Sequence, residues 1–219
     1  MHRSVMETRL QNPVTVLVAG PTSSGKTCLV KRLLEQSKDI FVEPPQRILW
    51  CYGVYQNTYS EMQTRFPNMV LHEGLPDNLG DYFDGKQAGC LVLDDLMFSG
   101  TKSEKVCKVF TESAHHLNIA VFLLVQNLFH GGDYFRCMSL NCRYIILMRN
   151  NREKSQVVNL GKQIFPQNTR YLKEAYEDSI KLSKYGYLLI DLNNEDECMR
   201  LRTQVFPGEM QYVYICKNN

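Results

Sequence analysis

A three-layer αβα sandwich around a mostly parallel central sheet is the fold this sequence predicts, and three observations predict it. Apolar runs rich in β-branched residues recur at Val14–Ala19, Arg47–Tyr52, 90–93, Ile119–Val125 and Tyr144–Met148. They are continuous rather than alternating, as strands covered on both faces must be. Stretches of helical periodicity lie between them, and parallel strands are joined by such crossovers. The chain has 219 residues, 44% of them apolar, enough to bury both faces of a sheet. One domain over 1–219, with a short N-terminal extension at 1–12, is expected.

The first strand follows Pro13 and ends at a glycine, and the helix expected over 28–36 places Leu29, Val30, Leu33 and Leu34 on one face. After the second strand, 61–66 reads as a short helix stopped by Pro67, and 68–71 as a short strand. The 90–93 strand leads to a helix over 103–116 with Val106, Val109 and Phe110 inward. Beyond the Tyr144–Met148 strand, 168–182 reads as an amphipathic helix, followed by strands at 187–190 and 211–215.

Between the first strand and first helix stands GPTSSGKT, residues 20–27, a full match to G-x-x-x-x-G-K-[ST], the Walker A pattern. Gly20 and Gly25 permit a tight backbone path that turns amides toward phosphate. Lys26 reaches the β and γ oxygens, and Thr27 offers a hydroxyl to Mg²⁺. The following helix adds its positive dipole end. Gly20, Pro21, Thr22, Ser23, Ser24, Gly25, Lys26, Thr27 and Cys28 are thus expected around a bound ATP, and the sandwich becomes a P-loop NTPase.

LVLDDL, residues 91–96, sets Asp94 and Asp95 at the C-terminal end of a buried strand, where ligands of open α/β sheets bind. Asp94 is expected on Mg²⁺ with Thr27, and Asp95 on the attacking water, a Walker B arrangement. The alternative is a pair that caps the turn at 97–100. The Ile119–Val125 strand ends in Gln126 and Asn127, amides able to sense a γ-phosphate or lytic water, or merely to satisfy strand-end backbone. His115 and His116 lack further ligands for a metal and read as helix-end histidines.

The formal net charge of +2, from 25 basic and 23 acidic residues, gives no bulk attraction to nucleic acid, so any polyanion contact must be a local patch. Lys102, Lys105 and Lys108 recur at helical spacing and supply such a stripe for sequence-independent phosphate contact, or else a solvated helix face. Gly131 and Gly132, within 130–134, form either a pore-facing loop or an ordinary turn. The eight cysteines contain no C-x-x-C pair and sit mostly in apolar stretches, which fits a reducing intracellular compartment. MHRSVMETRLQNP lacks the apolar core of a signal peptide. The longest apolar run, Ile119–Val125, is too short to cross a bilayer, so a soluble protein is expected.

The succession GPTSSGKT, LVLDDL, HHLNIAVFLLVQNLF and RCMSLNCRYIILMRNNREKSQ resembles the viral DNA-packaging ATPases of the FtsK-HerA superfamily. It is most similar to the branch of poxviruses, Polinton/Maverick elements and adintovirus-like elements, and the likeness runs over 13–215. The resemblance implies a homo-oligomeric ring motor that spends ATP to move double-stranded DNA into a capsid, with a capsid or portal protein as partner. The setting would be host nucleus or cytoplasm, or the virion. It puts the sensor role on Gln126. The acidic box here is Asp-Asp, the form of the viral branch, where the wider superfamily usually has Asp-Glu. The resemblance also implies an arginine offered to the neighbouring subunit: Arg136 first, Arg152 second, with Arg143 and Arg149 as further candidates. A helicase or recombination ATPase of the same superfamily would share these features. A small-molecule kinase would share the loop, but such enzymes usually carry an arginine-rich lid, and 129–138 holds one arginine and two glycines.

Overall fold

The structure, a computed structural model, describes residues 8–96, 101–128, 133–152 and 154–216, without the side chains of 101–103 and 133–136. The apolar runs are strands: β1 (Val14–Ala19), β2 (Arg47–Tyr52), β3 (Met69–Glu73), β4 (Gly89–Asp94), β5 (Ile119–Val125) and β6 (Tyr144–Met148). Three more follow, β7 (Tyr187–Asp191), β8 (Leu201–Thr203) and β9 (Tyr212–Tyr214). They make one sheet in the order β3-β2-β4-β5-β1-β6-β7-β8-β9. The first six in that order run parallel; β7, β8 and β9 are added antiparallel.

Every residue of β1, β4 and β6 is buried, which is why these runs do not alternate. Side chains still divide by parity between two cores. Leu17, Leu91, Leu93, Val121, Leu123, Ile145 and Leu147 face one side, and Val16, Val18, Val92, Phe122, Leu124 and Ile146 the other.

Helices α1 (Lys26–Glu35), α2 (Ser37–Ile40) and α3 (Thr58–Arg65) cover the second side. They do so through Leu29, Val30, Leu33 and Leu34, Ile40, and Tyr59 and Met62. The first side is covered by α4 (Thr101–Lys108), which runs on through a π turn at Val109–Ser113 into α5 (Ala114–His116). With them lie α6 (Asp133–Leu140), α7 (Lys154–Ile164) and α8 (Thr169–Ser179). The expected helix at 61–66 begins earlier, at Thr58, and that at 168–182 ends at Ser179. The sequence reading did not anticipate α2, α6, α7 or β8.

Because six strands are parallel, their C-terminal ends share one edge of the sheet. Gly20, Asp95, Gln126 and Arg149 follow β1, β4, β5 and β6 there. The antiparallel β7 begins at that edge, with Tyr187 opposite Met148. Among the described residues no helix is long and apolar enough to cross a membrane.

Candidate functional site

The 20–27 loop is built from conformations few residues adopt. Ser23 has φ 64° and Gly25 φ 95°, both left-handed. Such alternation curls successive amides around a concavity suited to an anion. Gly20 is needed for closeness, since a Cβ there would fall 2.6 Å from Met148 Cβ and 2.7 Å from Ser24 Oγ. Gly20 N donates to Val125 O at 3.0 Å, fixing the start of the loop against β5. Lys26 Nζ donates to the carbonyls of Gly20 (2.6 Å) and Pro21 (3.0 Å), so the ammonium lies within the loop. Burial lowers its pKa, opposed by the charges of Asp94 and Asp95. Ser24 Oγ is buried without a hydrogen-bond partner, an unsatisfied polar atom inside the cradle. Thr22 and Ser23 are exposed, as is Cys28 in the first turn of α1.

Asp94 ends β4 and is nearly sealed from solvent, at 2% exposure. Its Oδ2 accepts from Thr27 Oγ1 at 3.0 Å, which joins the acidic strand to the loop across 67 residues of sequence. The same oxygen accepts from Tyr59 OH at 3.1 Å. Burial pushes the Asp94 carboxyl above its ordinary range, against the pull of the Thr27 and Tyr59 hydroxyls and the Lys26 charge. The Tyr59 phenol is itself raised, first by burial and then by the Asp94 charge.

Tyr59 is the residue that sequence reading missed. It stands in the first turn of α3 with 0% exposure, its ring packed against Trp50 and Tyr52. In the sequence it is one of 12 tyrosines and belongs to no motif.

Asp95, one residue further, turns out to solvent at φ 50°, a conformation aspartate tolerates better than most side chains. Its Oδ1 accepts from Gln126 Nε2 at 3.1 Å, so the tips of β4 and β5 meet through the two residues expected at the attacking water. The backbone after Gln126 is also held. Leu128 N donates to Gln156 Oε1 of α7 at 3.1 Å, in buried surroundings.

A loop of this curl, with an ammonium inside it, suits a phosphate. The Thr27–Asp94 pair offers two hard oxygens to a divalent cation, and the Asp95–Gln126 pair a carboxylate and an amide to a water. Nine strands in this order, with a phosphate loop between the central strand and its helix, decide the class. The fold is that of the P-loop NTPases. No family model matches the chain, and no curated protein does. Among solved structures, the genome packaging NTPase B204 of Sulfolobus turreted icosahedral virus 2, in complex with ATP-γS, superposes with a TM-score of 0.51. The match covers 83% of this chain and 93% of B204 at 16% identity. The KaiC-like protein PH0186 of Pyrococcus horikoshii OT3 is more distant, with a TM-score of 0.42, 13% identity, and coverage of 63% and 71%.

The remaining candidates scatter. Arg152 is exposed after β6, its backbone N donating to Asn150 Oδ1 at 2.9 Å. Arg149 is exposed on the same edge. Arg143 precedes β6 at the opposite edge, its guanidinium over the Tyr144 ring, so it is remote from the loop of its own chain. The side chain of Arg136, the 129–132 segment with Gly131 and Gly132, and the 97–100 turn lie outside the described residues.

The lysine stripe, exposed at Lys105 and Lys108, has acidic neighbours. Lys105 is paired with Asp77 and Lys108 with Glu112, while the Lys102 side chain lies outside the described residues. His115 and His116 end α5 exposed, and no cluster of three or more metal-ligating side chains occurs among the described residues.

Proposed function

We propose that this chain binds ATP on residues 20–28, hydrolyses it with Mg²⁺, and uses the turnover to move double-stranded DNA as a ring-forming genome-packaging motor. The observation that carries the nucleotide reading is the 3.0 Å hydrogen bond from Thr27 Oγ1 to Asp94 Oδ2, which brings a phosphate loop and an acidic strand end to one point. Magnesium bound there would neutralise charge on the β and γ oxygens. Thr27 and Asp94 hold it, and Lys26 and the loop amides hold the phosphates. Asp95 orients and deprotonates the water, and Gln126 fixes Asp95 through the 3.1 Å contact.

A ring motor would need an arginine at the γ end supplied by a neighbouring subunit, and Arg136, then Arg152, with Arg143 and Arg149, are the candidates for it. Support for DNA packaging comes from the order of the four sequence blocks, with the fold of B204 as a parallel. The acidic pair and Gln126 favour attack by water over transfer to a small acceptor.

Steady-state ATP hydrolysis with and without long duplex DNA, at two salt concentrations and with Lys26→Ala as blank, tests this. Stimulation by duplex that fades with salt is expected. Turnover indifferent to DNA but raised by a small phosphate acceptor would replace the motor with a kinase. Mixing Arg136→Ala with Lys26→Ala subunits should restore part of the activity; no restoration passes the role to Arg152.

A further inference from the structure

The sheet order gives a nucleotide in this site a direction. On one flank of the loop stand β5 and β4 with Gln126, Asp95 and Asp94, so the γ end of a triphosphate faces that way. On the other flank come β6 and β7. The turn from α8 into β7 closes over the edge there, and Tyr185 lies in it. Its side chain packs on the loop itself: a Cβ built on Gly25 would fall 2.9 Å from Tyr185 Cδ1 and 3.3 Å from Cγ. Half of the residue, 50%, is nevertheless open to solvent.

The turn that presents this ring is held firmly. Gly186 O accepts from Arg149 N at 3.1 Å, Gly186 N donates to Ser183 O at 3.1 Å, and a Cβ on Gly186 would meet Ser179 O at 2.7 Å. The Lys184 ammonium stands 5.2 Å from the ring centroid, adding a cation beside the loop. A rigidly held, half-exposed aromatic ring on the flank away from the acidic pair is poorly explained as core packing. It is well explained as a surface on which a flat group rests.

Resting on the nucleotide reading above, we propose that Tyr185 is the stacking platform for the nucleotide base. It holds the base by its π face, so that adenine and guanine are accepted alike. Stacking of a base on an aromatic side chain is tolerant of base identity, since every base offers a π face. Another exposed tyrosine at this edge, Tyr55, stands in the loop after β2 on the acidic flank. It packs edge-on against Tyr52 and Tyr59, and serves as the control.

Calorimetric titration of wild type, Tyr185→Ala, Tyr185→Phe and Tyr55→Ala with ADP, GDP and pyrophosphate, each with Mg²⁺, separates the base from the phosphates. In wild type, ADP and GDP should bind with similar affinity. Tyr185→Ala should weaken both about ten-fold or more while leaving pyrophosphate unchanged, and Tyr185→Phe should behave as wild type. Equal losses for ADP and pyrophosphate would make Tyr185 a brace of the loop and overturn the platform with the nucleotide site intact. So would an ADP-specific loss in Tyr55→Ala instead. A wild-type protein that binds neither ADP nor pyrophosphate would overturn the nucleotide reading itself.

Discussion

Asp94 and Asp191 close strands at opposite edges of one sheet, and both are almost completely buried, at 2% and 4% exposure. The chain completes one of them and not the other. Asp191 faces Arg202 at 3.3 Å, with both side chains out of solvent, so its charge is answered within the fold. Asp94 is met by two hydroxyls, while the Lys26 ammonium is bonded to the carbonyls of Gly20 and Pro21 and acts on it only from further off. A buried carboxylate without a contacting cation is costly in a structural role. In a site it is a receptor for a cation that arrives from outside. The pair therefore sets a buried carboxylate answered by an arginine beside one answered only by hydroxyls, the one to which the proposed function assigns the metal.

The largest expected effect that breaks the comparison is on turnover. Asp94→Asn and Lys26→Ala should each lower ATP hydrolysis by roughly 10²- to 10³-fold or more, read from initial rates on folded protein. Wild-type rates in either would remove the site. Asp191→Asn should act on the other axis. By leaving the buried Arg202 without its counter-charge it should cost about 3–5 kcal/mol of stability in denaturant melts, with hydrolysis per folded molecule retained.

Tyr59→Phe, which keeps the ring and removes the hydroxyl that bonds Asp94 Oδ2, should raise the Mg²⁺ needed for half-maximal turnover about ten-fold. Mg²⁺-dependent protection of the protein against thermal unfolding should shift in parallel. An unchanged Mg²⁺ requirement would reduce Tyr59 to packing.

The smallest effect concerns pH. Burial raises the Asp94 carboxyl in the folded state, so folding favours its protonated form. That stability is fully present below the unfolded value of about 3.9 and is lost as pH rises through the raised folded value. Metal-free wild type in chelator should therefore lose stability relative to Asp94→Asn as pH climbs from about 4 to neutrality. A constant difference between the two proteins would show that burial is not felt by the carboxyl.

What the sequence discloses follows the same division. β1, β4, β5 and β6 are legible because continuous apolar runs leave no other reading, and the loop is legible because its glycines and lysine are required by chemistry. β8 is hidden because Arg202, 2% exposed, reads as a surface residue until its partner on β7 is known. α7 is hidden by Gly161, a poor helix former, which is there because α8 crosses it closely. A Cβ at Gly161 would stand 3.1 Å from Thr169 O. Tyr59 could not be assigned to Asp94 from sequence, since 35 residues separate them and it is the packing of α3 on β2, with the Tyr59 ring against Trp50 and Tyr52, that brings them together. The lysine stripe shows the converse: a pattern visible in sequence in which the acidic neighbour of Lys105, Asp77, is far away in the chain.

β1, the central strand, is paired on one side by β5 and on the other by β6, and both are written later in the chain. The helix that follows it is braced later still, with Arg32 held by Glu209 at 2.7 Å and lying 3.8 Å over the Phe206 ring. During synthesis β1 thus precedes both of its neighbours and gains the second only when β6 is complete. The phosphate loop is therefore written before the strands and the helix brace that hold it, and β1 keeps open apolar edges until they are made.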